Sequence, residues 1–102
     1  MRFQVKKLVM LGLLEKAVMV LGSKDIKPIL KNFDVKLIKG KLSVVATDLA
    51  LSVVAETSAV QMAPKETGRA VFPGLKLLEL VRAAEDTDLD FNVSAKEAEI
   101  TA

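Results

Sequence analysis

Lys24, Lys27 and Lys31 flank Pro28 in the stretch Lys24-Asp25-Ile26-Lys27-Pro28-Ile29-Leu30-Lys31-Asn32-Phe33. Ammonium groups so placed can meet phosphate as mobile point charges, without the bidentate fork of arginine. Each phosphate neutralised makes binding fall with salt, with a slope of about −0.9 per contact. A second basic pair, Lys76 and Arg82, lies within a helical pattern, six residues apart, so the two share roughly one side. An acidic set, Asp86, Asp88, Asp90, Asn92, Ser94 and Glu97, has the spacing of a calcium loop. The glycine such a loop needs at its sharp turn is here Phe91, and Leu89, Phe91, Val93 and Ala95 alternate as a strand demands. These carboxylates are therefore expected on the outer face of a strand, without a metal. Thr47-Asp48 is the one polar pair that invites a catalytic reading, and Asp there commonly closes a turn on its own backbone. No nucleophile-and-base set, phosphate-cradling glycine loop or metal cluster appears, so neither catalysis nor a cofactor is expected.

The elements that must carry these residues follow from composition and periodicity. A chain of 102 residues, 51% hydrophobic, is one domain with a core of its own. Cysteine, histidine, tyrosine and tryptophan are absent, which removes disulfides, the commonest general base and most stacking side chains. The net charge of +2 hides an asymmetry: residues 1–41 carry ten Lys/Arg against three acids (+7), and residues 42–102 carry five against ten (−5). Such a division points to a polyanion partner or to head-to-tail self-association; a scattered, solvated surface gives the same numbers. Leu8–Leu21 is too short, and too charged at Glu15-Lys16, to span a bilayer. No small-x-small cleavage pattern follows it cleanly, so a soluble, cytoplasmic protein is expected.

Arg2–Lys6 alternates as a half-buried strand. Leu8–Leu21 reads as a helix with Met10, Leu14, Ala17 and Leu21 inward and Leu11 and Val18 beside them. Its far side offers Glu15 and Lys16 but also Leu8, Val9, Leu13, Met19 and Val20, so the helix is buried on two sides or faces a partner. Pro28 excludes Lys27 from the helical region, and the helix should end by Gly22. Phe33–Lys39 and Lys41–Thr47 are two strands with a tight turn at Lys39-Gly40, and Leu51–Ser58 is a third. After a loop around residues 63–68 come a short strand at 69–72, a helix at 75–84 with Leu77, Leu78 and Val81 inward, a strand from Leu89, and the start of another at Ala98. Strand, helix, three strands, then strand, helix, two strands: this is one βαβββ unit written twice, the second lacking its last strand.

Met-Arg-Phe at the start, Pro28-Ile29-Leu30-x-Asn32, Thr47-Asp48-Leu49 and Pro73 before the second helix occur in an order and spacing that resemble the first domain of the bacterial sliding clamp, the β subunit of DNA polymerase III. The resemblance runs through the whole chain. It implies an α+β DNA-clamp fold for residues 1–102, the first of three domains, with two helices inside and antiparallel sheets outside. It also implies a non-catalytic role, encircling duplex DNA without reading bases and tethering the replicative polymerase, with a clamp loader as a further partner. Lys24 falls on a basic position that touches the DNA backbone in the family; Lys27 and Lys31 would extend the patch, and Lys76 and Arg82 would meet phosphates from the second helix. Two departures stand out. Leu8, Val9, Gly12 and Met19 occupy first-helix positions where clamps carry polar residues. The second is length: a clamp has three such domains per chain, and its partner-peptide pocket lies in the later ones. The other reading is therefore a clamp-like scaffold that self-associates through its apolar helix and open sheet edge, without useful DNA affinity.

Overall fold

The computed structural model describes residues 1–19, 32–47, 51–85, 87–94 and 97–101. In chain order the elements are β1 (Arg2–Lys6), α1 (Lys7–Val18), β2 (Asn32–Ile38), β3 (Lys41–Thr47), β4 (Ser52–Thr57), β5 (Val60–Gln61), β6 (Gly68–Pro73), α2 (Gly74–Ala83), β7 (Asp88–Val93) and β8 (Ala98–Thr101). They form two antiparallel four-stranded sheets, β5-β1-β7-β8 and β4-β3-β2-β6. The repeated unit is present, and its two copies exchange strands. The first strand of each copy pairs with the second strand of the other: β1 with β7, and β6 with β2. Among the described residues nothing after β8 plays the part that β4 plays in the first copy.

Alternation decides which residues enter the core. Phe33, Val35 and Leu37 of β2, and Leu42, Val44 and Ala46 of β3, are buried, while their neighbours are not. On β7, Leu89 and Phe91 point inward, with Asp88 and Asn92 exposed and Asp90 half-buried. Asp88 and Asp90 thus sit in a regular strand between β1 and β8 rather than in a calcium loop. Among the described residues no polar side chain is buried, and no three His, Cys, Asp or Glu side chains come together as a metal site would require.

The β2–β3 turn is Lys39-Gly40, both with positive φ (52° and 78°), as a two-residue hairpin of the primed type needs. A Cβ at Gly40 would have no atom within 4 Å, so substitution there carries only the backbone penalty. Gly40→Ala is expected to cost roughly 1–2 kcal/mol, the usual penalty for a side chain in the left-handed region. It should appear as a lower urea midpoint with an unchanged m-value.

The helices depart from expectation in one respect. On α2, Leu77, Leu78 and Val81 are buried and Lys76, Glu79 and Arg82 exposed, as the pattern implies. On α1 the buried set is Met10, Leu13, Leu14 and Ala17, so Leu13 belongs to the core and not to the far side. The reason is that α1 packs against α2, β1, β3 and β4 at once, which widens its buried arc by one residue column. Val9, Leu11 and Val18 are half-buried, but Leu8 and Met19 remain 81% and 78% exposed. Leu21 and Gly22, and with them the expected end of this helix, lie outside the described residues. Among the described residues no helix is long and apolar enough to cross a membrane.

β5 has no counterpart in the sequence reading. Its two residues pair with Gln4 and Val5, and two residues are too few to show a period.

Candidate nucleic-acid interface

The exposed surface of the helix pair is built from two short lists of side chains. From α1 and its C-cap come Leu8, Glu15, Lys16 and Met19; from α2 come Leu75, Lys76, Glu79, Leu80 and Arg82. Three cations against two anions leave this surface only weakly positive, with four exposed large hydrophobic residues among them. Six residues on a helix of 3.6 per turn place Lys76 and Arg82 about 120° apart, with Glu79 midway at i+3 from the first and i−3 from the second. Among the described residues Glu79 forms no ion pair with either. Both cations are therefore solvated and able to meet an anion approaching the helix face.

Of the five predicted contact residues, Lys76 and Arg82 are thus on one exposed helix side. Lys24, Lys27 and Lys31 lie outside the described residues, as does Asp48. Thr47, the other half of the polar pair, ties the end of β3 to the start of β4: its hydroxyl donates to the Leu51 carbonyl (3.2 Å) and accepts from the Ser52 hydroxyl (2.8 Å).

One basic residue that periodicity does not single out is Lys7, the first residue of α1. Its ammonium donates to the carbonyl oxygens of Arg82 (3.0 Å) and Ala84 (2.6 Å) at the end of α2. The contact spans more than seventy residues, so no local pattern could have announced it.

Strand exchange also disposes of part of the charge asymmetry. Lys6 stands directly opposite Asp88, and Arg2 lies 3.8 Å from Asp90 on the diagonal of the same pair of strands. On the other sheet Arg69 binds Asp34 through Nε (2.9 and 3.0 Å to the two carboxylate oxygens) and Nη2 (2.9 Å). The hydrogen bonds to Asp34, and then its charge, raise the pKa of Arg69 further above its ordinary value. The β1–β7 pairs thus set bases of the first half against acids of the second, while Arg69–Asp34 joins the minority charge of each half.

An open cleft of about 420 Å³ lies along the β1–β5 edge, lined by Gln4, Lys6, Ser58, Gln61 and Asp88 among others.

A family model described as the DNA polymerase III beta subunit, N-terminal domain, matches residues 1–102. Among solved structures the chain is similar to the Caulobacter crescentus pol III beta (24% identity, TM-score 0.86, covering 99% of this chain and 27% of that one). It is similar to the Pseudomonas aeruginosa DNA polymerase III subunit beta (22%, TM-score 0.83, 99% and 27%). A Helicobacter pylori beta clamp bound to a DNA ligase peptide matches at 20% and TM-score 0.87, covering 100% of this chain and 28% of that one. At these identities the structural likeness carries the fold, and the chain spans little more than a quarter of each of these structures. No curated protein matches by sequence.

Proposed function

Given that the chain belongs to the family of DNA polymerase III beta subunit N-terminal domains, we propose that residues 1–102 form the first clamp-type domain of a ring that encircles duplex DNA. In this reading the domain is a cytoplasmic, non-catalytic part of a processivity factor, holding the replicative polymerase on its template and meeting the clamp loader through the parent clamp. The observation that carries it is the placement of Lys76 and Arg82 together on the solvated side of α2, in a domain that matches the family from end to end. Lys24, Lys27 and Lys31, outside the described residues, are the further phosphate contacts of this reading. Contacts of this kind reach phosphate and not base edges, so they hold the duplex without regard to sequence. Two or three per domain make a weak binder, which suits a ring that must slide.

Duplex-DNA affinity measured between about 50 and 200 mM salt tests this. A log–log slope of about −2 to −3 is expected, reduced by about 0.9 in Lys24→Ala. Affinity that ignores both salt and Lys24→Ala would overturn it.

Exposed Leu8 and Met19, and β8 with only one paired neighbour among the described residues, favour a second reading. Here the domain is a scaffold that self-associates without useful DNA affinity. Light scattering that finds a monomer at every concentration would remove it.

A further inference from the structure

The last carbonyls of a helix have no intrahelical partner and form the negative end of its dipole. On α2 the Ala84 N–H turns back to the Val81 carbonyl at 3.3 Å and satisfies one of them. Left bare, the carbonyls of Arg82 and Ala84 would set a negative potential at the end of the helix whose last turn carries Arg82, and exposed Glu85 follows directly. The basic residue within the last turn of α2 is Arg82, and it does not bond these carbonyls. The cation that does so comes from the other repeat. Lys7 is held twice, by its ammonium on Arg82 and Ala84 and by its backbone N–H on the Thr87 carbonyl (2.7 Å).

We propose that Lys7 is a positioning residue for DNA binding: its ammonium cancels the negative carboxyl end of α2, so that Arg82 meets phosphate without a repulsive neighbour. Lys7 acts through the α2 carbonyls and not on DNA itself. This rests on the reading above that the helix pair faces duplex DNA.

The test compares wild type with Lys7→Met, Lys7→Gln and Lys7→Arg in duplex-DNA titrations across salt, each variant held below its unfolding temperature as followed by circular dichroism. Lys7→Met should bind roughly two- to fivefold more weakly at low salt, the size of a charge–dipole contact at a helix end. The slope against log salt should not change, because no phosphate contact is lost. Lys7→Arg, which keeps charge and donors, should restore binding. Lys7→Gln keeps an N–H donor group without the charge and should behave like Lys7→Met, and it carries the test if Lys7→Met does not fold. A folded Lys7→Met or Lys7→Gln protein that binds like wild type overturns the inference. So does a slope reduced by about 0.9, which would make Lys7 itself a phosphate contact. A wild-type chain without salt-dependent binding removes the DNA reading and this inference together; normal wild-type binding with unaffected variants removes this inference alone.

Discussion

Phe91→Ala is expected to lower the free energy of unfolding by about 3–5 kcal/mol, the usual cost of deleting a buried aromatic ring. Phe91 and Phe3 are fully buried, stand directly opposite one another on β7 and β1, and stack with ring centroids 4.7 Å apart and planes 10° apart. One ring comes from each repeat, so the pair is part of what welds the two copies into one core. Against an ordinary stability of about 5–15 kcal/mol, such a loss is a large fraction of the whole. At about 4–8 °C per kcal/mol for a domain near this size, the melting temperature should fall by well over 10 °C. Thermal and urea unfolding would both report it. A loss below about 1 kcal/mol would mean that the site collapses around the missing ring and that the two repeats are joined mainly elsewhere.

The second large effect is a gain. Leu8 and Met19 are the most exposed large hydrophobic residues among those described; they belong to α1 and its C-cap, and α1 packs beside α2, which carries Lys76 and Arg82. Replacing both by lysine removes little packing, so stability should stay within about 0.5 kcal/mol. If this surface faces the duplex, two new phosphate contacts should steepen the salt slope by about 1.8 and raise low-salt affinity by roughly tenfold or more. Val54→Lys with Val71→Lys supplies the control, since these exposed residues alternate with buried Ala55 and Phe72 and so lie on the outer face of the sheet β4-β3-β2-β6, opposite the core face that packs on the helices. Equal gains from both pairs would reduce the effect to net charge and count against a DNA-facing helix surface. Light scattering on the same proteins bears on the scaffold reading. There the helix substitutions would break up an oligomer, because two ammonium groups in an apolar contact are costly to desolvate.

What could be read from the chain alone was whatever burial imposes at short range. The alternation of Phe33, Val35 and Leu37, the Lys39-Gly40 turn and the Leu77-Leu78-Val81 stripe each follow from one element having one face in the core. The doubling of the unit was legible for the same reason, because each copy repeats the same order of periods. Outward placement of Lys76 and Arg82 came with it. Leu13 did not, because a stripe drawn on a single helix cannot tell how many neighbours will close around it, and α1 has four. Tertiary structure alone decided the exchange that sets β1 on β7 and β6 on β2, and with it the pairing of Arg2 with Asp90 and Arg69 with Asp34. It alone brought Lys7 to the end of α2. The physical reason is common to all of these. Periodicity records only that a face is buried, whereas the identity of the burying partner depends on contacts between residues far apart in the chain, which no local pattern encodes.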